Sequence, residues 1–374
     1  MAKKITYKTD EGNQLTEGLL EALEKKINRE YSQAEKEVEE KIKDYLDRFA
    51  TKDDIRQEYV LKQYDKYKNG EISWNDYKKS RSEYVTWRMN QIAIGERWKE
   101  MRDNLAEDLA NTNLICQKMV NDYMMQAYAT NFNYGTYLVE NSSLVNTAFT
   151  LYDKSTVERL IKKSPQLLPM MSNKTKERII KNGLVAWNKQ KLTSALTQGI
   201  LQGESIPKIA KRFRDVADME YKQSIRTART SMTSAQNGGR QDSFIRAKDM
   251  GINQKKQWLA TIDDRTRHEH RLLDGQRVDI EEPFRVEGYE ILYPADPSAE
   301  PEMVYNCRCT MVTMFDGYDK KITDFDIDER LGDMTYDEWK KSKNIKSEPI
   351  DKQERQGEAI KKKYNDDYRR MKNS

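Results

Sequence analysis

His268 and His270 are the only histidines in the 374-residue chain, and they close the run Asp263-Asp264-Arg265-Thr266-Arg267-His268-Glu269-His270. Further along, Asn306-Cys307-Arg308-Cys309 holds two of the three cysteines. Side chains that can ligate a soft metal or carry a proton near neutral pH are therefore concentrated in one stretch. Neutral imidazole and thiolate are the usual ligands of tetrahedral zinc, so His268, His270, Cys307 and Cys309 are the candidate metal ligands. The spacing argues against a full set. A His-x-His pair shares one face only on a strand, and the polar run from Asp263 to His270 reads as loop or helix, where the rings point to nearly opposite sides. Cys-x-Cys is also less usual than Cys-x-x-Cys in zinc sites. The favoured expectation is no bound metal, with one histidine and one cysteine packed or hydrogen-bonded.

Other chemistries fit less well. A zinc deaminase needs His-x-Glu and a later Pro-Cys-x-x-Cys; here His268-Glu269-His270 precedes cysteines that follow Asn306. A nucleophilic Cys–His pair would need Cys307 to approach His270. A nuclease or other hydrolase would pair His270 with Asp263 or Asp264, and this is the competing functional reading. Neither a Walker loop nor a glycine-rich dinucleotide fingerprint is present.

Arginines and carboxylates crowd the same region. Arg226 and Arg229 lie three apart on one predicted helix face, and Asp263, Asp264 and Asp274 offer carboxylates for bidentate pairs. The expected role is structural rather than catalytic: a network of Arg226, Arg229, Trp258, Asp263, Asp264, Arg265, Arg267, His270, Asp274, Gly275, Asn306, Cys307 and Cys309 that pins a helix to a small α+β unit. Basic clusters at Lys208/Lys211/Arg212/Arg214 and Lys361-Lys362-Lys363 can meet phosphate. A solvated helix face explains them equally well.

The elements that must position these residues are mostly helical. Leu15, Leu19, Leu23, Ile27, Tyr31, Ala34, Val38, Ile42, Leu46 and Phe49 recur in steps of three or four, which predicts a long amphipathic helix over 15–49. Asn69-Gly70 is a turn signal that ends this region. A second helical region spans Trp74 to Ala129, with a break near Gly95. In it Trp98, Met101, Leu105, Leu109, Cys116, Met119, Tyr123 and Ala127 share a face. Residues 130–155, rich in Asn, Ser, Thr and Gly, read as a connection with a short hairpin. Helices are expected again at Thr156–Lys163 and Thr175–Gln202, with Gly203 as a stop. Ser205-Ile206-Pro207 reads as a cap and first turn, and Ile206, Ile209, Ala210 and Phe213 share the face that follows. A helix over 219–236 carries Ile225, Ala228, Met232 and Ala235. Gly238-Gly239 should interrupt it before a further helix to Met250, closed by Gly251. Gln257–Ile262 and Met303–Phe315 read as strands. Asp274-Gly275 is a turn, and Pro283, Gly288, Pro294, Pro297 and Pro301 break the segment between the strands into loops. From Gly317 onward the chain is polar, with charge nearly balanced.

Composition agrees with a mainly α fold. Hydrophobic residues make up 37% and charged residues 34%, with a mean hydropathy of −0.98, lean for a globular domain. Only 8 prolines and 16 glycines punctuate the chain, so long helices are expected. The net charge of +4 from 66 basic and 62 acidic residues lacks the basic excess of a dedicated nucleic-acid protein. Three cysteines make no disulfide framework, and a reducing site of synthesis is expected. The N-terminus lacks the apolar run of a signal peptide, and no segment approaches the ~20 apolar residues of a spanning helix. The expected organisation is a helical region over 1–217, a small α+β module over 218–316, and a charged helical or flexible tail over 317–374.

Six motifs occur in order across this chain. They are Arg226-x-x-Arg229-Thr230; Trp258 followed by Asp263-Asp264-Arg265-Thr266-Arg267-x-x-His270; Leu273-Asp274-Gly275; Pro283-Phe284; Tyr293-Pro294-x-Asp296-Pro297; and Asn306-Cys307-Arg308-Cys309. Together they resemble the phage minor head, or head morphogenesis, proteins typified by protein F of phage Mu, over about residues 190–315. The resemblance implies a minor capsid component of the virion head. It would act in head assembly, in the host cytoplasm before it enters the particle. Its expected partners are a portal protein, capsid or scaffold proteins and double-stranded DNA at packaging or ejection. Some relatives carry Cys-x-x-Cys where this chain has Arg267 and His270, and a His where it has Val304, which suggests zinc in those relatives. Here Arg267 replaces a ligand, and a salt bridge from Arg267 to an aspartate is the expected substitute for a metal cross-link.

Overall fold

The computed structural model of the chain describes residues 9–93, 96–147, 173–202, 204, 206–315 and 329–343. The fold is mainly α, with a few short antiparallel strands near the C-terminal end. Five long helices come first: α1 (Glu11–Lys68), α2 (Trp74–Arg88), α3 (Glu96–Ser143), α4 (Asn173–Leu201) and α5 (Ile206–Asp249). A π-helical turn at Met89–Ala93 follows α2, and Gly183 (φ 75°) kinks α4. Then come β1 (Lys255–Leu259), α6 (His268–Leu273), β2 (Arg277–Asp279), β3 (Phe284–Val286), β4 (Tyr289–Ile291), α7 (Pro301–Val304), β5 (Thr310–Met314), a 3-10 turn at Glu329–Asp333 and α8 (Tyr336–Ser342).

These elements pack as two compact units, each built from separate stretches of chain. One comprises 26–116 and 171–224, the other 1–25, 117–170 and 225–374. The module expected at 218–316 thus also draws on the start of α1 and the second half of α3.

The first unit is a helical bundle. Val38, Ile42, Tyr45 and Leu46 of α1, Trp98, Leu105 and Leu109 of α3, Leu192, Leu196 and Ile200 of α4, and Ile209 and Phe213 of α5 form its core. The α1 stripe is buried from Leu19 to Leu46, while Leu15 is exposed. Burial of each large apolar side chain contributes roughly 1.5–3 kcal/mol before the entropy of ordering is subtracted. Asn69-Gly70 does turn the chain, with Gly70 at φ 76°, and Ser73 and Asp76 cap α2 reciprocally. Arg88 is fully buried in the bundle; its Nη2 donates to Asp53 Oδ2 at 3.0 Å and its Nη1 to the Glu204 carbonyl at 2.8 Å.

The second unit sets α3 and α5 against the strands. β1 is the centre of a sheet ordered β2-β1-β5, antiparallel throughout, with Trp258 opposite Met311 and Lys256 opposite Thr313. β3 and β4 form a separate hairpin. Trp258, Leu273, Ile280, Phe284, Ile291, Met303, Val304 and Met311 pack with Phe244 of α5 and Val139 of α3 into the core.

Several sequence expectations are corrected here. Residues 130–143 are helix, not connection. Their poor intrinsic propensity is overridden by tertiary bonds: Asn131 Nδ2 donates to Thr16 Oγ1 at 2.7 Å, and Asn141 Nδ2 to the Leu331 carbonyl at 2.6 Å. Gly238-Gly239 does not interrupt α5. A Cβ on Gly239 would lie 2.4 Å from the Tyr128 carbonyl oxygen, and one on Gly135 would lie 2.1 Å from Ser243 Oγ. These glycines let α3 and α5 approach each other. The strand expected at Gln257–Ile262 ends at Leu259, and the one expected over Met303–Phe315 is shortened to β5 because Pro301 starts the turn α7. Within the expected tail, residues 329–343 are ordered structure: Thr335 and Glu338 cap α8, and buried Trp339 donates its Nε1 to Glu140 Oε2 at 2.7 Å. The helix expected at Thr156–Lys163, the break near Gly95, the stop at Gly203 and Lys361-Lys362-Lys363 lie outside the described residues.

β1 alternates its burial, and one inward position is a lysine. Lys256 is fully buried; its Nζ donates to the Leu292 carbonyl at 2.8 Å and to Gln241 Oε1 at 3.3 Å. Burial pushes its pKa down to about 7, against the opposing pull of Asp296, Glu281 and Glu282.

Two stability measurements test this packing. Gly239→Ala should lower the free energy of unfolding in denaturant by roughly 1–3 kcal/mol, because backbone of α3 must give way. Gly18→Ala on the open face of α1, where nothing lies within 4 Å of the new Cβ, should instead stabilise by about 0.5–1 kcal/mol. For Lys256 the sign follows from the depressed folded pKa. Between pH about 7 and 10.4 the unfolded lysine holds a proton that the folded one lacks, so wild-type stability rises with pH by up to about 1.4 kcal/mol per unit. Against Lys256→Met, wild-type protein should gain stability from pH 7 to 9; parallel curves for the two proteins would refute a neutral buried lysine.

Candidate metal and cross-bracing site

The site lies in the second unit, where α6, β1 and the loop before β5 meet. α6 is a short helix, and it buries His270 and Leu273 while leaving His268 exposed. His268 Nε2 instead faces Glu287 Oε1 of the β3–β4 turn at 3.6 Å. The two histidines diverge, as expected of a helix. His270 stands edge-on to Trp258, with ring centres 5.7 Å apart at 88°, and Trp258 stands edge-on to Phe284 at 5.2 Å. This aromatic wall fixes the imidazole. Its Nδ1 lies 3.4 Å from Cys309 Sγ and 3.7 Å from Cys307 Sγ. All three side chains are buried, and their ligand atoms lie within 4.8 Å of one another. His270 Nε2 is buried without a hydrogen-bond partner among the described residues.

Environment separates the two thiols. Burial, then donation to Cys309, pushes the Cys307 thiol well up. Cys309 is held well below its usual range by the Cys307 S–H, with His270 adding to the effect. The Cys309 sulfur thus lies against a second thiol and an imidazole.

The loop carrying the cysteines is held from α5. Asn306, at φ 56°, donates its backbone N–H to Thr230 Oγ1 at 3.0 Å. Asn237 Nδ2 donates to the Cys309 carbonyl at 3.1 Å, and Gln236 Nε2 to Thr310 Oγ1 at 2.9 Å. Arg240 Nη1 donates to the Met311 carbonyl at 2.9 Å. Arg240 is itself fully buried and paired with Asp10 at 2.5 Å and 2.9 Å. Sequence reasoning missed Thr230, Gln236, Asn237, Arg240 and Asp10 as site supports. The available signal was a run of polar residues at three- and four-residue spacing along the buried side of α5.

A second tie closes the loop from the front. Arg308 clasps Asp263 with both terminal nitrogens, at 2.5 Å and 2.7 Å. The guanidinium holds the Asp263 carboxyl well below the usual carboxylate range, helped by the Arg265 backbone N–H and Thr266. Thr261 Oγ1 donates to the Arg308 carbonyl at 2.8 Å. Arg267, the helix N-cap, donates to the Tyr305 carbonyl. Its expected salt bridge to an aspartate is corrected: the available acceptor on the cysteine loop is a backbone oxygen, and Asp263 is engaged by Arg308.

The other sequence-named residues take different places. Arg226 and Asp264 are exposed. Arg229 pairs with Glu24 of α1 at 2.6 Å and 3.2 Å rather than with an aspartate of the loop. Arg265 lies 3.9 Å from Asp263 and is largely solvated. Asp274 Oδ1 accepts from the Ala260 N–H at 2.8 Å, and Gly275, at φ 79°, donates its N–H to the Trp258 carbonyl at 2.9 Å. Among the described residues no hydrogen bond joins His270 to Asp263 or Asp264, the pairing that a hydrolase would need. Above the cluster is a cavity of about 400 Å³, lined by Arg229, Arg265, Arg267, Arg308, Asn306 and Thr261 together with the three buried donors.

Residues 190–312 match the family described as phage Mu protein F like protein. Among curated proteins, the chain is 36% identical over 151 residues to the NAD(+)--arginine ADP-ribosyltransferase EFV of Enterococcus faecalis, a match covering 40% of this chain but only 31% of that protein. It is 26% identical over 337 residues to minor head protein GP7 of Bacillus phage SPP1, covering 83% of this chain and 98% of that protein. A third relative, YqbB of Bacillus subtilis, is 25% identical over 125 residues, 40% of its length. No solved structure matches. The matched segment contains the histidine helix, the Asp263–Arg308 clasp and the Cys-x-Cys loop, and over residues 190–312 this chain is similar to the phage Mu protein F like family.

Proposed function

We propose that this chain is a phage minor head protein: a structural, non-enzymatic part of head morphogenesis that docks on the portal or the capsid interior and contacts double-stranded DNA during packaging or ejection. The observation that carries this reading is the likeness to minor head protein GP7, which extends over 98% of that protein. Likeness to the ADP-ribosyltransferase extends over only 31% of its length, and the activity in its name stays with that protein. The site chemistry favours the same side. Asp263 is occupied by Arg308 and His270 faces two thiols, so these groups act as ties between loops.

The docking face in this reading is the α1–α2 hairpin. Ile55, Tyr59 and Leu61 are 64%, 55% and 57% exposed, where apolar side chains of this size are normally covered. At its end Tyr64, Tyr67, Trp74 and Tyr77 cluster, with ring centres 5.2–6.4 Å apart. Aromatic clusters of this kind are common anchors of protein interfaces. No described helix is long and apolar enough to cross a membrane.

Mass spectrometry of purified particles assembled with the chain should find it in the head, and a photo-crosslinking residue at Tyr59 should capture the portal or a capsid protein. A double variant, Ile55→Asp with Leu61→Asp, should fold with unchanged thermal stability and fail to enter particles. Arg308→Ala should act differently, lowering thermal stability by releasing the cysteine loop. Absence of the chain from particles, together with turnover of NAD+ by the purified chain, would overturn the reading.

A further inference from the structure

We infer that His270, Cys307 and Cys309 bind one zinc ion through Nδ1 and the two Sγ atoms, with the fourth coordination position left open to the arginine-lined cavity. A tetrahedral centre with Zn–S bonds of about 2.3 Å and Zn–N bonds of about 2.0–2.1 Å places nitrogen and sulfur about 3.6 Å apart. The two Nδ1–Sγ separations, 3.4 Å and 3.7 Å, bracket that value. The donors are of the right kind, soft thiolates and an imidazole with no carboxylate among them. They are also held in place before any ion arrives. Trp258 orients the imidazole, Asn237 holds the Cys309 carbonyl, and Thr230 holds the Asn306 N–H.

Among the described residues the set stops at three. Arg267 stands one helical turn before His270 and lines the same cavity, but a guanidinium is always protonated and offers no lone pair. The cavity of about 400 Å³ leaves room for a water or a small anion beside the ion. Metal-bound histidines normally donate their second ring nitrogen to a partner, and His270 Nε2 has none among the described residues. The ion is therefore held less tightly than in a closed four-ligand site, and a chelator removes it. This inference stands apart from the proposed head role, since it concerns the metal content of the chain whatever particle holds it.

The test uses the full chain, purified without a histidine tag. Elemental analysis after zinc reconstitution should give about one zinc per chain. Cobalt substitution should give a thiolate-to-cobalt charge-transfer band with the intensity of two thiolates. Cys307→Ser and Cys309→Ser should each lose half or more of that band, and Cys116→Ser, at the remaining cysteine, should leave it unchanged. If the serine variants fail to fold, the wild-type band and stoichiometry decide alone. Arg267→Cys, which supplies a fourth thiolate, should bind zinc more tightly in competition with a chromophoric chelator. Reconstituted wild-type protein that holds no zinc and shows no cobalt band, with all thiols reduced, overturns the inference. Unchanged affinity in Arg267→Cys overturns the open fourth position.

Discussion

A guanidinium fully removed from water governs the second unit. The desolvation of a buried ion costs several kcal/mol and is offset only when every donor finds an acceptor in good geometry. Arg240 of α5 meets that condition by reaching three other stretches of chain at once: Asp10 at the start of α1, Asn131 of α3 at 3.0 Å, and the Met311 carbonyl of β5. The Tyr134 ring lies 5.0 Å from the guanidinium carbon and completes its surroundings. None of these segments can shift without exposing a charge to an apolar interior. The arrangement also accounts for the glycines beside it. A guanidinium at a helix crossing reaches all its partners only where the backbones come close, and Gly135 and Gly239 provide that approach.

Legibility in the sequence tracked the kind of force involved. Apolar periodicity identified the long helices, because burial along α1 from Leu19 to Leu46 follows the 3.6-residue repeat. It failed where tertiary contact reversed local preference. Gly238-Gly239 carries the local signature of a break, yet a missing Cβ serves a helix contact there. Asn131 and Asn141 look like loop residues, yet their side-chain amides reach Thr16 of α1 and the Leu331 carbonyl. At the site, residue type narrowed the chemistry to His270 and the cysteine pair, but pairing was another matter. Arg226, Arg229 and Arg308 are equally good partners for Asp263 on paper. Only the fold places Arg308 on a loop that reaches it and turns Arg229 toward Glu24.

The two units solve the packing problem differently. The helical bundle is held by apolar stripes, with one buried ion pair, Arg88–Asp53, in its midst. The second unit has short strands of three to five residues, too short to fix their own register by pairing alone. Its register comes from side chains. Thr230, Asn237 and Arg240 of α5 bond Asn306, Cys309 and Met311 in the same order along both segments. Ten residues of helix rise about 15 Å, and five residues of extended chain span about 16 Å. Helix and loop-strand segment therefore stay in step over the whole ladder.

That matched rise explains why the cysteines sit where they do. Cys309 is itself a rung of a ladder whose spacing is set by α5, Cys307 falls between that rung and the one at Asn306, and His270 is set independently by the Trp258–Phe284 wall. Two unrelated pieces of packing thus bring three soft donors together. In small metallo-domains that unfold without metal, the ion supplies the folding energy. Here hydrogen bonds from α5 and the aromatic wall also hold the loops around the donor cluster. The physical role of the module is thereby separable from its metal chemistry. Arg267 adds a tie of its own, joining the histidine helix to the cysteine loop through the Tyr305 carbonyl.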